Sequence, residues 1–316
     1  MLPFVEDLRV ENLHVQAPTE IVFICGGQLS LDGQVGTQSM RDAFLRISEH
    51  PALGDRNIIL AEHVTKLAIF AAYYDDLLEF ETHLAQITEL ILLFCESAGS
   101  YAELGSFAAT PEIAERLLVI IRDYYWAHES FIKLGPLMNL INNHSRSAVF
   151  VVEDRVIGIV DGSPSAIDLD QFKNALNEPL AQRLATTREP STFDPGRPGH
   201  VIKLMVGLLQ EYGALEFSEL ANLLPIFQVH LPEKRLRAFL LCATAVGWVT
   251  EKSKGSRDFL IACDGEQDAA VFVAPEGAQI KNRRRRRMII RAHWLERDPP
   301  RMRAIQETVA ESIGGE

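Results

Sequence analysis

The stretch Leu90-Ile91-Leu92-Leu93-Phe94-Cys95-Glu96-Ser97-Ala98-Gly99-Ser100-Tyr101-Ala102-Glu103-Leu104-Gly105 decides the predicted fold. Its first six residues are apolar, as in a parallel strand that is covered on both faces. The small residues after them predict a loop that leads into a helix. In an open α/β sheet, ligands bind outside the carboxyl ends of the strands, so we expect a site at this loop. Ser97, Gly99 and Ser100 allow close approach of a ligand, and the helix N-terminus favours its anionic groups.

Glu103 is predicted to lie in the first turn of that helix. A carboxylate beside a bound anion is unfavourable unless it does chemistry, such as attack on a sugar carbon. The alternative is an ordinary acidic residue that complements the helix dipole. This segment alone does not decide between the two interpretations.

A second apolar run, from Ile21 to Cys25, ends in Gly26-Gly27. Two glycines after a strand indicate a tight turn or a phosphate-binding backbone, although neither the GxGxxG nor the P-loop spacing is present. A helix is predicted to begin near Ser39, which brings Arg41 close to this loop. Its guanidinium is suited to a bidentate contact with a phosphate or carboxylate, and the alternative is a solvated arginine.

Further acidic residues follow the same pattern. Glu62 comes after the short predicted strand Asn57-Ile58-Ile59-Leu60, and Asp75 and Asp76 stand near the start of a predicted helix, where an acid is common by default. Glu62, one of these aspartates and Glu103 therefore all fall near strand exits or adjoining helix starts. Several carboxylates around one pocket are typical of glycosyl chemistry, in which one attacks and others orient the sugar hydroxyls.

These segments together resemble a known family, the effector proteins of bacterial retrons, in the subgroup built on a nucleoside deoxyribosyltransferase-like domain. The order and spacing agree over roughly residues 20 to 140, and the Glu-Ser-x-Gly-Ser block is the most specific part. The matching segments are Cys25-Gly26-Gly27, Ser39-Met40-Arg41, Ala61-Glu62, Asp75-Asp76-Leu77-Leu78, Glu96 to Phe107 and Ser130 to Pro136.

The resemblance implies an α/β fold, with a Rossmann-like parallel sheet followed by a smaller, mostly helical, winged-helix-like domain. By this resemblance Glu103 is the nucleophile and Asp76 a second catalytic residue. Substrate-binding roles are implied for Gly26, Gly27, Ser39, Arg41, Glu62, Ser97, Gly99 and Ser100. The chain departs from the family pattern at Ala98, where others have Pro, and at Ala61-Glu62-His63, where others read Pro-Glu-Asp.

The resemblance also implies an activity and partners. Members of the subgroup are anti-phage toxins that cleave N-glycosidic bonds, with NAD as a substrate and no cofactor. Their partners are the retron reverse transcriptase and its multicopy single-stranded DNA–RNA hybrid, in a homo-oligomer or larger complex. Hydrolysis or transfer on other nucleosides or nucleotides stays open at this stage. The competing hypothesis is a non-catalytic nucleotide sensor that reports its ligand to DNA.

Composition bounds these hypotheses. The chain has 316 residues, 47% of them hydrophobic, and a net charge of −12, which predicts two soluble domains. No apolar run is long enough to span a bilayer and no secretory signal is visible, so a cytoplasmic setting is expected. The cysteines (Cys25, Cys95, Cys242 and Cys263) have no paired spacing, and the histidines no metal motif, so no metal site is predicted. Tyr124, Tyr125 and Trp126 follow another apolar run, and either stack on a base or pack internally.

The predicted domains are a catalytic domain over residues 1–186, a Pro/Gly-rich linker over 187–199, a winged-helix-like domain over 200–280 and a basic segment over 281–316. Two apolar runs, Ala148 to Val152 and Val156 to Val160, predict a hairpin or two edge strands. Helices are predicted at Val201–Tyr212, Phe217–Leu224 and Glu233–Val246, followed by a hairpin up to Cys263. This order is typical of a winged helix, which serves either DNA recognition or protein interaction.

The C-terminal segment is basic within an acidic chain. From Lys281 to Glu316 there are ten Lys/Arg and five Asp/Glu residues, a local net charge of +5. Five consecutive arginines predict a nucleic-acid-binding patch, and the alternative is a solvated charge run. These residues are Arg283, Arg284, Arg285, Arg286 and Arg287.

Overall fold

The structure, a computed structural model, describes residues 2–18, 20–31, 35–60, 62, 70–185, 189–263 and 268–314. The strands are β1 Leu13–Val15, β2 Ile21–Cys25, β3 Asn57–Leu60, β4 Leu90–Cys95, β5 Leu117–Arg122, β6 Val149–Val152, β7 Ser191–Thr192, β8 Ala214–Leu215, β9 Val249–Lys254, β10 Arg257–Ala262 and β11 Ala270–Phe272. The helices are α1 Met40–Arg46, α2 Phe70–Tyr73, α3 Leu77–Ala85, α4 Ala98–Ala109, α5 Pro111–Ala114, α6 Asp123–Ala127, α7 Met138–Asn143, α8 Asp154–Ile157, α9 Leu169–Leu184, α10 Pro198–Tyr212, α11 Phe217–Leu223, α12 Glu233–Ala245, α13 Arg283–Arg297 and α14 Pro299–Gly314.

A five-stranded sheet in the order β3-β2-β4-β5-β6 is the centre of the first unit, and all its neighbouring strands pair in parallel. The predicted parallel α/β sheet is therefore confirmed. The chain leaves β2 for β3 on one side and returns to β4 on the other side of β2. This reversal makes the carboxyl ends of β2 and β4 the topological switch point, where α/β proteins bind ligands.

Every residue of β2, β4 and β5 is buried, which explains why these strands read as uninterrupted apolar runs. On one face, the Phe94 ring lies 5.4 Å from the ring of Phe44 on α1 and 6.2 Å from that of Phe172 on α9. Helix α4 packs on the same sheet through contacts with β4 and β5. The loops at the carboxyl edge of the sheet therefore start from well-packed strands.

The predicted hairpin after residue 148 is corrected in part. Strand β6 is an edge strand as expected, but it pairs in parallel with β5, and residues 154–157 form the single helical turn α8. Gly158 ends this turn with φ of 80°, and a Cβ there would lie 2.8 Å from the Ala166 carbonyl oxygen. The bidentate ion pair of Arg122 with Asp154 fixes the start of the turn beside the end of β5. This contact is non-local, so the apolar run alone did not reveal it.

The described residues divide into two compact units, one from within 18–67 and 76–187 and the other from within 1–17, 68–75 and 188–316. The predicted catalytic domain begins at residue 1, whereas the described residues 2–17 lie with the C-terminal unit. The reason is that β1 pairs antiparallel with both β11 and β7. Residues 186–188, at the predicted boundary, lie outside the described residues.

The second unit contains α10, α11 and α12, followed by the hairpin of β9 and β10, in the predicted order. Strand β8 joins the hairpin in an antiparallel sheet of order β8-β10-β9, and α10 packs against α12. Helix α10 begins at Pro198, three residues before the predicted start, because proline suits the first helical position. The basic segment is not a separate tail, since α14 packs on β8, β9 and β10. In the described part of the chain, no helix meets the length and apolarity that a bilayer crossing requires.

Candidate active site

The two glycines after β2 make a close approach that leaves no room for side chains. Gly26 has φ of 149°, and a Cβ there would lie 2.8 Å from the Cβ of Phe94. A Cβ on Gly27 would lie 2.7 Å from the Cβ of Ser39. The pair is therefore explained by the packing of the β2 exit against β4 and α1. Contact of these glycines with a substrate stays a prediction.

Glu96, the first residue after β4, occupies the N-terminus of α1. Its carboxylate accepts hydrogen bonds from the backbone N–H groups of Met40 (2.6 Å), Arg41 (3.0 Å) and Gly27 (3.2 Å). Burial raises the pKa of Glu96, and the three amide hydrogen bonds oppose that shift. The anion position that the glycine pair suggested is thus filled by a carboxylate of the protein itself. The sequence motif alone does not reveal this role of Glu96, because its hydrogen-bond partners are distant in the chain.

Ser39 is the N-cap of α1, as predicted from the helix start. Its hydroxyl accepts a hydrogen bond from the Asp42 N–H at 2.9 Å and donates one to the Gln28 carbonyl at 2.8 Å. The side chain is buried. Both hydrogen-bonding capacities serve the local structure, and a role in substrate binding stays a prediction.

Arg41 and Glu62 form a bidentate ion pair with two N–O distances of 2.6 Å. The arginine is buried, whereas the Glu62 side chain is 45% exposed. Burial lowers the pKa of Arg41, but the pair with Glu62 outweighs this and the net shift is upward. Arg41 therefore holds a carboxylate here, one of the two anions that we considered for it. Ala61 and His63, on either side of Glu62, lie outside the described residues.

Ser97 and Ser100 build the start of α4 as a reciprocal capping box. The Ser100 hydroxyl accepts from the N–H groups of Glu96 (3.0 Å) and Ser97 (2.9 Å) and donates to the Ser97 carbonyl (2.9 Å). Gly99 is exposed, and a Cβ there would meet only the Ser97 hydroxyl, at 3.9 Å. Among these three predicted substrate-binding residues, Gly99 alone is exposed. Substrate contact stays a prediction for all three.

Glu103 lies one turn deeper in α4 than we predicted, because the helix begins at Ala98 and its first turn contains no acid. Its Oε2 atom is buried and has no hydrogen-bond partner among the described residues. Burial raises the pKa of Glu103 to about 7, the charge of Arg41 opposes this shift, and the charge of Glu62 adds to it. Dipole effects fade beyond the first turn, so the interpretation as a dipole-complementing acid loses its basis. A buried, unsatisfied carboxylate at a switch point favours chemistry.

Glu81, on α3, is a residue that we missed. It is only 5% exposed, and burial together with the charges of Glu103 and Glu62 raises its pKa to about 8. The signal was its position in the helical period, one residue after Phe80 and three before Leu84, within the apolar stripe. We call Arg41, Glu62, Glu81 and Glu103 the acid cluster. Its three carboxylates share one cation, and two of them hold their protons near neutral pH.

Asp76, the other predicted catalytic residue, is the exposed N-cap of α3 and accepts from the Glu79 N–H at 2.8 Å. None of the charges that shift the pKa of Glu103 comes from Asp76. The structure gives it a capping function, and a catalytic one stays a prediction. Cys25 and Cys95 are reduced, and burial raises the pKa of both thiols, so neither is a ready thiolate. Across the described ranges, no group of three or more His, Cys, Asp or Glu is arranged to hold a metal ion.

The five consecutive arginines do not form one exposed patch. Arg283, Arg286 and Arg287 all donate to the buried carboxylate of Glu211. Arg283 and Arg287 also pair with Asp268. Arg284 and Arg285 are exposed. Nucleic-acid binding by this run stays a prediction, and the structure leaves two of its members on the surface.

Comparison with known proteins adds a family context to this geometry. Residues 37–251, more than half of the chain, match the family described as STM3845 retron effector protein. Two curated proteins of Escherichia coli are similar. The "Retron Ec73 putative ribosyltransferase/DNA-binding protein" is 26% identical over 147 residues, and its Ec86 counterpart, of the same description, is 28% identical over 143 residues. Each match covers 45% of this chain, and 45% and 44% of the two relatives, so the chain spans less than half the length of the proteins it matches.

Proposed function

Because this chain belongs to the STM3845 retron effector family, we propose that its acid cluster cleaves an N-glycosidic bond of a nucleotide, with NAD as the preferred substrate. The observation that carries the proposal is the Oε2 atom of Glu103, which is buried near the switch point and has no hydrogen-bond partner among the described residues. The curated relatives are named for ribosyl transfer, which is the same bond chemistry. Retron defence is the biological context, and toxicity follows from loss of the nucleotide.

The reaction has two balanced steps. A Glu103 oxygen attacks the ribose C1′, and the C1′–N bond breaks with its electron pair moving to the leaving base. Nicotinamide carries a positive charge on its ring nitrogen in NAD, so it leaves as a neutral molecule without a proton donor. Water then attacks C1′ of the ester, its proton passes to solvent, and the Glu103 carboxylate is restored. No cofactor or metal is needed in either step.

The pKa of about 7 for Glu103 has a direct consequence for rate. Only the ionised carboxylate is a nucleophile, so the raised pKa means that protonation of Glu103 competes with catalysis near neutral pH. Desolvation makes this ionised fraction more reactive, because its charge is not dispersed by water. The ion pair of Arg41 with Glu62 also affects the pKa of Glu103, because the charge of Arg41 lowers it and the charge of Glu62 raises it.

A second substrate class is favoured by Glu81. A purine or pyrimidine that leaves from an ordinary nucleoside or nucleotide must take up a proton, and the sequence had suggested no acid for that step. Glu81 supplies a neutral carboxyl beside Glu103 at pH 7. Nucleosides and nucleotides other than NAD are therefore the second candidate substrates, with hydrolysis or base exchange as the outcome.

The second unit supports a role in complex formation. Its helices and hairpin follow the order of a winged helix, and the names of the curated relatives include DNA binding. We propose that this unit binds the retron DNA–RNA hybrid, with the reverse transcriptase as protein partner. The complex then controls when the acid cluster acts. The sensor hypothesis uses the same surfaces, but it gives no reason for an unsatisfied buried carboxylate.

The test is nicotinamide release from NAD by the purified chain, alone and with the reverse transcriptase and its hybrid. Glu103→Gln is expected to lose at least about 10³-fold in rate, as expected for loss of a nucleophile. Glu178→Gln is the matched control, since it makes the same chemical change at an exposed position of α9 in the same unit. Release that survives Glu103→Gln contradicts the mechanism. No release under any condition, with nucleosides also inert, supports the sensor.

A further inference from the structure

A cavity lies at the carboxyl end of β5, next to the start of α4. Its volume is about 270 Å³. It belongs to the same compact unit as the acid cluster. Glu103 is not among the residues that line it. Half of its lining residues are aromatic, and the lining includes Tyr101, Tyr124, Tyr125, His128 and Lys133.

The aromatic rings of this cavity hold one another in place. Tyr124 and Tyr125 meet edge to face with centroids 5.2 Å apart, and Tyr125 meets Tyr101 in the same way at 6.3 Å. The His128 ring lies 5.0 Å from Tyr124, and the Arg122 guanidinium lies 5.5 Å from the centroid of Tyr125. Tyr124 is 58% exposed, so its ring is accessible to a ligand. Such a wall is suited to stacking on a flat aromatic ligand.

A positive charge stands at the same cavity. Lys133 begins a π-helical turn, Lys133–Leu137, and its Nζ lies 5.0 Å from the centroid of the Trp126 ring. This cation–π contact restrains the ammonium group without neutralising it. Single π-helical turns occur frequently at functional sites. An aromatic wall with one adjacent cation fits a nucleobase that carries a phosphate.

The cavity and the acid cluster flank the same helix. Tyr101 and Glu103 are two residues apart in α4, so their side chains leave the helix about 200° apart, on opposite sides. A helix with its side chains is about 10–12 Å wide. The exposed residues Ala98 and Gly99 form the helix N-terminus between the two sides. In a dinucleotide, two sugars and a pyrophosphate separate the two bases, a span of the same order as this width.

From this arrangement we propose that the cavity lined by Tyr101, Tyr124, Tyr125, His128 and Lys133 binds the second nucleobase of a dinucleotide, with Lys133 beside a phosphate. The inference rests on the proposed function, because it assigns the first base and its glycosidic bond to Glu103. It adds a reason for substrate choice. A dinucleotide can contact both Glu103 and this cavity, whereas a mononucleotide can contact only one of them.

The test uses Glu103→Gln protein, which allows binding to be measured without turnover. NAD, adenosine monophosphate and nicotinamide mononucleotide are the probes, and calorimetry gives the dissociation constants. Adding Tyr124→Ala is expected to weaken the binding of NAD and of adenosine monophosphate roughly 10-fold, because one base stack is lost. The binding of nicotinamide mononucleotide is expected to stay unchanged. Lys133→Gln is expected to weaken the same two ligands. Phe131→Ala is the matched control, because Phe131 is 86% exposed in the same region but does not line the cavity.

Binding of NAD that is indifferent to both Tyr124→Ala and Lys133→Gln overturns the proposal. A single-stranded oligonucleotide provides the other source of a base with a phosphate. If Tyr124→Ala weakens only the oligonucleotide, the cavity is a nucleic-acid contact and the proposal is wrong. If Tyr124→Ala changes only the oligomeric state on gel filtration, the rings are an interface and the proposal is equally wrong.

The experiment can contradict the proposed function independently of the second-base site. In the chain with native Glu103, Tyr124→Ala is expected to raise KM for NAD and to leave kcat nearly unchanged. Tyr124-dependent binding of NAD with no turnover of any substrate sustains the second-base site and contradicts the hydrolase. Turnover of NAD, together with NAD binding that does not depend on Tyr124, sustains the hydrolase and contradicts the second-base site.

Discussion

Each of the two units of this chain contains a cluster of charged side chains in which some members are buried, and the two clusters are built in opposite ways. The acid cluster has three carboxylates (Glu62, Glu81 and Glu103) and one arginine, Arg41. In the other unit, Arg283, Arg286 and Arg287 surround Glu211 and are joined by Asp268, a set that we call the arginine cluster. In the arginine cluster both carboxylates are paired. In the acid cluster the only cation is held by Glu62.

The difference shows which buried charges are structural and which are available for chemistry. A buried carboxylate that accepts several charged hydrogen bonds is satisfied and contributes to the fold. A buried carboxylate without such partners keeps its proton to a higher pH and has unused acceptor capacity. Glu211 is of the first kind and Glu103 of the second. Of the five consecutive arginines, three belong to this structural cluster, and two are exposed.

The largest stability effect is expected at Glu211. Replacing it by Ala leaves Arg283, Arg286 and Arg287 without their common acceptor, and Arg286 is almost fully buried. We expect Glu211→Ala to lower the free energy of unfolding by about 3–5 kcal/mol, because uncompensated buried charge remains. Urea unfolding followed by tryptophan fluorescence measures this, since Trp248 and Trp294 lie in the same unit.

Glu233→Ala is the control for that measurement. Glu233 pairs with Arg237 on the surface of α12, so its loss is expected to cost less than about 1 kcal/mol. Equal losses in the two variants would remove the distinction between satisfied buried charge and surface charge on which the comparison depends.

Glu81 is expected to make stability depend on pH. Its pKa is about 8 in the folded chain against an ordinary value of 4.5, so the folded state favours the neutral form. That contribution is fully present below pH 4.5 and is lost as pH rises through about 8. Glu81→Gln removes the titration, so the variant is expected to gain in free energy of unfolding over the native chain as pH rises from 5 to 9. Urea unfolding at several pH values tests this, with Glu178→Gln as control, and parallel pH profiles would contradict it.

A smaller effect is expected on the pH dependence of activity. Glu103 must ionise to attack, so kcat/KM is expected to rise with pH up to about 7. The charge of Glu62 raises the pKa of Glu103, and Glu62→Gln is therefore expected to move the rising limb to lower pH, by about 0.5–1 unit. Initial rates of nicotinamide release between pH 5 and 9 measure the midpoint. A rising limb that moves to higher pH in Glu62→Gln would contradict the prediction, because removal of the negative charge of Glu62 should lower the pKa of Glu103.

The smallest effect on stability is expected at Arg284 and Arg285, the exposed members of the arginine run. Replacing both by Ala is expected to change the free energy of unfolding by no more than about 0.5 kcal/mol. If they contact phosphates of the hybrid, the salt dependence of binding loses a slope of about 2, one for each arginine. Binding titrations at several salt concentrations decide this, and an unchanged slope means that nucleic acid is bound elsewhere or not at all.

Much of the site was within reach of sequence reasoning, and the reasons for the misses are physical. Glu103 and Arg41 were selected because they follow strands whose exits must meet at one edge of the sheet. Glu81 was missed because α3 has only nine residues, and so short an apolar period does not by itself show that Glu81 lies on the buried face. Asp76 stood out in the motif, but in the structure it caps α3 at an exposed position. The resemblance drew attention to Glu103 and Asp76, and only the structure shows that the Glu103 Oε2 is buried whereas Asp76 is exposed.

The sequence by itself determined the parallel sheet, the positions of its first strands along the chain and the helices of the second unit. These depend on local apolar period and on turn residues, which are visible along the chain. Only the tertiary structure decided that β1 belongs with β11, that Glu96 fills the helix terminus of α1, and which arginines are buried. Each of these joins residues far apart in sequence, and the pKa of a carboxyl group depends on such neighbours rather than on its own position. The chemistry proposed for Glu103 arises from that non-local environment.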